Sequence, residues 1–210
     1  MFADIARDDI FQLETRRLWL RWPRAADAPA IARFCSQWLV ARFTTRIPHP
    51  YPPGSAERFI FAARAGNAEG AQLVLTMTPR SGNRESIGSI ALEARAGGHL
   101  HLSYVVAPEH WGKGLAGEAA AAMLIAGFQL SAATQIDANV FKENVAARRV
   151  LEKCGFAHLG SAPCGAPARG GLVDSDSYSI GRDAIMLRRA MSVAPGPRSA
   201  ARRENRHEIS

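Results

Sequence analysis

Leu18, Leu20 and Trp22 recur at every second position among arginines in residues 16–22, the spacing of a strand with one buried face. The period then lengthens. Asp27 and Pro29 open a stretch in which Ile31, Phe34, Cys35 and Trp38 fall on one side of a helix, which predicts that its aromatics enter a core. His49-Pro50-Tyr51-Pro52-Pro53-Gly54 predicts a rigid connection, and Ser55 the cap of a second helix carrying Phe59, Ile60 and Ala63. Residues 72–78 and 86–92 alternate or run apolar around Pro79, Ser81, Gly82 and Asn83, which predicts an antiparallel hairpin. A turn at 95–98 leads into a strand at 99–106. Residues 118–130 are apolar almost all round, as in a helix buried against a sheet. Beyond it the pattern predicts a strand at 134–141, a helix at 144–153 and a strand at 156–160. A loop rich in Gly, Ala and Pro follows at 163–177, and a last strand at 184–187 closes the sheet. No segment repeats another.

Between the strand ending at Val106 and the apolar helix lie a short polar connection and a turn holding Gly112, Gly114 and Gly117. Chains use this arrangement to aim backbone N–H groups at a phosphate, because glycine lets the main chain approach closely and a helix N-terminus adds unpaired donors and partial positive charge. A diphosphate is the expected guest. The same glycines satisfy the dinucleotide fingerprint G-x-G-x-x-G, with Asp137 twenty residues further on. Against that reading, Ala107, Pro108, Glu109, His110 and Trp111 separate the strand from the first glycine, and one helix and two short strands follow in place of further βαβ units. The P-loop pattern fails, since no Ser or Thr follows Gly112-Lys113.

Trp111-Gly112-Lys113-Gly114-Leu115-Ala116 resembles the diphosphate-binding signature of the GNAT superfamily of N-acetyltransferases, in the variant of the ribosomal-protein N-acetyltransferase branch. The similarity runs over residues 14–187. It includes Glu14-Thr15-Arg16-Arg17-Leu18, Phe141-Lys142-Glu143-Asn144 and Arg149-Val150-Leu151-Glu152-Lys153-Cys154-Gly155-Phe156. The resemblance implies an α/β fold whose mixed, mostly antiparallel sheet of six to seven strands is flanked by helices. The sheet would be splayed between the strand ending near Val106 and the one starting near Ile136. It further implies a lead at 1–13, an acetyltransferase domain at 14–190 and a tail at 191–210. Acetyl-CoA would be the acyl-donor cosubstrate, with its diphosphate on the N–H groups from Gly112 to Gly117 and its pantetheine arm between the splayed strands beside Val105 and Val106. Asn144 is similar to the family's pantetheine-binding asparagine, although its place also suits a helix cap. Arg149 matches a basic position near the cofactor, Asn139 is a further candidate, and Lys113 adds charge.

Transfer to an amine also needs a base and an acid. Many relatives carry Glu where His101 stands. Imidazole titrates near neutrality and would serve, with Glu93 in reserve. His99, His101 and Ser103 share one strand face, which suits a polar pocket as well as it suits a solvent-facing strand. For the leaving thiolate, relatives use a Tyr where this chain has Leu151 or a Ser where it has Ala147, so water, Tyr104 or the amine's own proton remains.

Composition changes this picture in three ways. Cys35, Cys154 and Cys164 are odd in number and lack metal-like spacing, so neither a disulfide framework nor a metal site is expected, and Cys154 reads as a small buried residue. No secretory signal or membrane-length apolar run appears, which implies a cytoplasmic chain. Of the net charge of +7, residues 188–210 supply six arginines less two glutamates, or +4, in a stretch too polar to pack. The expected partners are acetyl-CoA and an amine acceptor, a protein N-terminus or a small amine, in a monomer or homodimer. The basic tail suits a weak anionic partner such as RNA. A ribosome- or RNA-associated protein and an acetyl-CoA-binding module without catalysis are the alternative readings.

Overall fold

Pairing begins earlier than the hydrophobic pattern suggests. In the computed structural model, which describes residues 11–193, β1 (Gln12–Glu14) lies antiparallel to β2 (Leu18–Arg21), with Leu13 opposite Leu20. The expected lead therefore ends in a strand, and its residues 1–10 lie outside the described chain. Of the tail, residues 194–210 also lie outside it.

The first predicted helix is two: α1 (Ala28–Cys35) and α2 (Trp38–Ala41). Gln37 between them is extended (φ −78°, ψ 126°), and this turns Trp38 off the face of Ile31 and Phe34. Phe34 is buried, whereas Trp38 is 51% exposed and lies outside the core. Asp27 is buried before α1 but does not cap it. Its carboxylate is taken by Arg21 at 2.7 and 2.8 Å and by the Arg24 N–H at 2.8 Å. Ser55 is likewise the first residue of α3 (Ser55–Ala68), capped by Gly54 in the left-handed region, and its hydroxyl accepts from Arg58.

The hairpin follows as predicted in β3 (Gln72–Pro79) and β4 (Gly88–Ala94), and next come β5 (Leu100–Val106), α4 (Leu115–Leu130), β6 (Gln135–Phe141) and α5 (Val145–Cys154). The C-terminal quarter differs from expectation. Residues 163–177 fall mostly within β7 (Ala157–Ala166) and β8 (Gly171–Gly181), a long antiparallel hairpin turning at Pro167–Arg169. β8 pairs with β6 from Gln135–Gly181 to Phe141–Ser175 and fills the place beside it. No sheet position remains for 184–187, which lie in α6 (Arg182–Val193). Arg182 fixes that helix by donating to the carbonyls of Phe128, Ser131 and Ala133 at the end of α4, groups a helix C-terminus leaves unpaired.

Among the described residues the sheet has eight strands rather than the expected six to seven, because β1 joins its edge and β8 replaces the strand expected at 184–187. They run in the order β1-β2-β3-β4-β5-β6-β8-β7, antiparallel throughout except for β5 and β6. One face packs the main core under α4 and α5, through Leu20, Leu75, Ile90, Leu92, Leu102 and Ile136. The other receives α1 and α3 through Ile31, Phe34, Ile60 and Ala63. No helix among the described residues is long and apolar enough to cross a membrane.

Gly88 stands opposite Val106, where a Cβ would come within 2.3 Å of the Val105 carbonyl oxygen. Backbone cannot yield as a side-chain tip can, so Gly88→Ala should destabilise the chain by about 1–3 kcal/mol, the usual cost of overpacking. Urea unfolding checks this, and a midpoint equal to wild type would show that β4 and β5 have slack here.

Candidate active site

β5 and β6 pair only at their bases, through Leu100–Ile136 and His101–Asp137, although β5 continues for five more residues and β6 for four. Their outer flanks stay fully paired, β5 with β4 and β6 with β8. The result is a wedge-shaped opening in mid-sheet, bordered on one side by Ser103, Tyr104, Val105 and Val106. Val106 is buried and its carbonyl accepts the Trp111 indole N–H at 2.7 Å. Trp111 thereby holds the connection to the end of β5, while its ring stays partly exposed. Val105 is half-buried and packs against the α1 and α3 cluster.

The glycine turn sits just beyond. Gly112 (φ +71°) and Gly114 (φ +73°) are in the left-handed region that other residues avoid. The Trp111 N–H bonds Pro108 and the Glu118 N–H bonds Gly114, but between them six successive N–H groups, from Gly112 through Lys113, Gly114, Leu115 and Ala116 to Gly117, have no acceptor among the described residues. A Cβ added at Gly112 or Gly117 would meet nothing within 4 Å, so the turn borders open space rather than packed protein. An anion of diphosphate size fits such a concavity of donors at a helix N-terminus. The Lys113 ammonium is held back on the Glu109 carbonyl at 2.8 Å.

On the α4 side of the wedge, two groups meet on the backbone of one residue, Ala147. Asn144 caps α5, its Oδ1 accepting the Ala147 N–H at 3.1 Å, and Tyr104 donates its hydroxyl to the Ala147 carbonyl at 3.3 Å. The Asn144 amide nitrogen has no partner among the described residues, so capping leaves it a donor to spare. Burial, with the nearby Cys154 thiol adding to it, pushes the Tyr104 hydroxyl above the ordinary phenol range, and it stays protonated at neutral pH. Arg149 is exposed midway along the same helix. Asn139 also faces out, but its amide donates to Ser177 across the strands at 2.9 Å.

His101 lies where the wedge closes, between Glu93 of β4 and Asp137 of β6. Burial first, then the charge of Arg95, lowers its pKa from the ordinary 6.5, against the pull of Glu93 and Asp137. No hydrogen bond occupies its imidazole among the described residues. Glu93 is engaged, with one oxygen on Arg46 and the other on Arg95 at 2.9 Å. His99 reaches Asp137 at 3.3 Å.

Away from α4, the sheet presents Asp137 and Asn139 of β6 with Ser177 and Ser179 of β8, since Ile136, Ala138, Tyr178 and Ile180 point into the core. The tip of the β7–β8 hairpin bends back over this side. The Ala168 N–H bonds the Thr45 carbonyl at 3.1 Å, and Arg169 donates to the Ile47 carbonyl with its guanidinium over the Trp38 ring. Sequence reasoning missed this strap, and also the Thr15, Arg17 and Glu118 network behind the glycine turn. Partners so far apart along the chain leave no local signal, although Thr15 and Arg17 fall within a motif already singled out and Glu118 directly follows the glycine turn. A separate recess of about 440 Å³ between α5 and the β7–β8 hairpin is lined by Arg148, His158 and Asp176, among others. Asp176 there accepts from Ser161 at 2.6 Å and faces Arg148 and His158, so its charge is met within the protein. Cys35, Cys154 and Cys164 form no disulfide, and Cys35 and Cys154 are buried.

The sequence profile of the acetyltransferase (GNAT) domain matches residues 17–157. An uncharacterized N-acetyltransferase of Bacillus subtilis, YoaA, is 34% identical over 103 residues, a match covering 48% of this chain and 58% of that protein. Among solved structures, the RimJ protein of Mycobacterium smegmatis in complex with CoA-disulfide superposes with a TM-score of 0.72 at 22% identity, over 86% of this chain and 93% of its own. The ribosomal-protein-S5-alanine acetyltransferase of Vibrio fischeri gives 0.71 at 18% identity, over 82% and 97%. With the profile covering two thirds of its length, and with the split sheet and glycine turn in place, the chain belongs to the GNAT acetyltransferase family.

Proposed function

We propose that the chain transfers an acetyl group from acetyl-CoA to a primary amine bound in the same complex. The observation that carries this reading is the run of six unpaired N–H groups from Gly112 to Gly117 beside the wedge between β5 and β6. The turn would hold the diphosphate. The wedge would hold the pantetheine arm, with Asn144 offering its free amide and Arg149 a charge at the mouth. Acetyl-CoA supplies an activated thioester, so the protein's tasks are to orient the amine and to manage two protons.

His101 suits the first proton. Its imidazole is neutral at pH 7, unoccupied and placed at the closed end of the wedge, where it can take a proton from the incoming ammonium or amine. Tyr104 suits the second. Ala147 and Leu151 lack the hydroxyl that would protonate a leaving thiolate, a lack that fits a chain that binds acetyl-CoA without turning it over. The Tyr104 hydroxyl reaches the Ala147 carbonyl and supports turnover by bringing a protonated donor to that point. For the acceptor, the polar row of Asp137, Asn139, Ser177 and Ser179 under the hairpin strap favours a partner that hydrogen-bonds along its length, as the amino terminus of a protein does. Release of free thiol from acetyl-CoA on adding N-terminal peptides, compared with small amines, tests both catalysis and acceptor. Absence of thiol release with every amine tried would leave only the binding module.

Three outcomes are expected in the full chain. Gly114→Val, which forces a branched residue into the left-handed region, should raise the Kd for CoA by about tenfold or more in a folded protein, whereas Lys113→Ala should change it little because that ammonium is already bound to Glu109. Calorimetry decides, and equal affinities for Gly114→Val and wild type would remove the turn from the site.

The acidic limb of kcat/KM should lie below pH 6.5. A base works only when unprotonated, and His101 is lowered from that value, so activity should persist to lower pH than an ordinary histidine allows. His101→Ala should reduce kcat by about a hundredfold with CoA affinity intact, and His101→Glu should recover part of it with the limb moved further down. A profile unchanged in both variants would relieve His101 of this role.

Tyr104→Phe should likewise lower kcat by about a hundredfold at unchanged CoA affinity. Wild-type turnover in that variant would pass the second proton to water.

A further inference from the structure

Thr15 and Arg17, from the Glu14-Thr15-Arg16-Arg17-Leu18 motif, converge with Glu118 of α4 behind the glycine turn. The Glu118 carboxylate is largely buried. Burial would raise its pKa, but hydrogen bonds from Thr15 and Arg17 hold it below the ordinary carboxylate range. One of its oxygens accepts the Thr15 hydroxyl at 2.6 Å and the Arg17 N–H at 2.7 Å, and the other accepts Arg17 Nε at 2.7 Å. The guanidinium is thus fixed from one side. Its Nη1 then donates to the Lys113 carbonyl at 2.8 Å, and its Nη2 stands 3.6 Å from where a Cβ of Gly114 would be.

A trans peptide unit is planar, with C=O and N–H pointing in opposite directions. A guanidinium that holds the Lys113 carbonyl toward β2 therefore aims the Gly114 N–H away from β2, onto the open side of the turn. With glycine at 112 and 114, that peptide plane would otherwise rotate easily. We infer that Arg17, held by Glu118 and Thr15, is a positioning residue for donor binding: it sets the Lys113–Gly114 peptide so that the Gly114 N–H faces the diphosphate of acetyl-CoA. The inference rests on the acetyl-CoA reading and adds to it a group some hundred positions away in sequence that never touches the ligand.

The test compares CoA with pantetheine, which lacks the diphosphate, on the wild-type chain and on Arg17→Ala, Arg17→Lys and Glu118→Gln. Titrations are followed by calorimetry and by the backbone amide signals of ¹⁵N-labelled protein. Expected in wild type is a large shift of the Gly114 amide with CoA and little with pantetheine. In Arg17→Ala the Kd for CoA should rise about tenfold, the scale of one lost charge-assisted contact, and the Gly114 shift should shrink while the pantetheine Kd holds. Arg17→Lys, which keeps the charge but cannot bridge Glu118 and Lys113 together, should fall between, as should Glu118→Gln. These two serve where Arg17→Ala fails to fold. Equal loss for both ligands would mean that Arg17 only supports the fold, and unchanged CoA affinity with an unchanged Gly114 shift would mean that the peptide needs no such hold. Either overturns the inference. If wild type itself does not bind CoA, the acetyl-CoA reading fails, and this outcome is separate because it appears before any variant is made.

Discussion

Two residue pairs at the base of β5 and β6, and none above them, set the conditions for everything around the site. Buried backbone groups without partners cost about 1–3 kcal/mol each, so parallel strands that begin paired tend to continue. Here they part because each is held from outside. β4 pairs β5 along its whole length and β8 does the same for β6, while the hairpin that contains β8 is tied at its tip to Thr45 and Ile47. The Trp111 indole takes up the Val106 carbonyl, and the Tyr104 side chain reaches across to α5. The opening is thus a property of the whole sheet, and a ligand does not have to make it.

What could be read from the sequence follows from how local each cause is. β2, β3, β4, β5 and β6 show their alternation within a few residues, and the apolar helix that became α4 could go nowhere but against them. Gly112, Gly114 and Gly117 announced the turn, because positive φ and close approach leave glycine as a visible trace. The C-terminal hairpin left a fainter one. Ser175, Ser177 and Ser179 alternate with Asp176, Tyr178 and Ile180, yet serine has weak strand preference, and the segment becomes a strand because β6 offers it a full edge. Residues 184–187 looked like that missing strand and instead follow Arg182 into a helix. Trp38 misled for a related reason: helical spacing held through it, but one extended residue at Gln37 reset the register.

Side chains at the site mostly act on the protein first and keep one atom back. Asn144 spends its carbonyl oxygen on the cap and retains its amide. Lys113 turns its ammonium onto the Glu109 backbone carbonyl, so under the proposed reading the turn's affinity for a diphosphate would depend on peptide geometry more than on side-chain charge. Such a site is rigid before any ligand arrives, and preorganised donors lose little on binding.

The same economy separates His101 from the carboxylate across the strand pair. An unengaged Glu93 directly across the strand pair would favour imidazolium more strongly. Arg46 and Arg95 each take one of its oxygens. Asp137 is drawn to His99 and Gln135, the acids and arginines nearest His101 pull in opposite directions, and burial is the largest influence and favours the neutral ring. Under the proposed mechanism Glu93 would thereby be withdrawn from proton transfer by the same two arginines that favour a neutral imidazole at its neighbour.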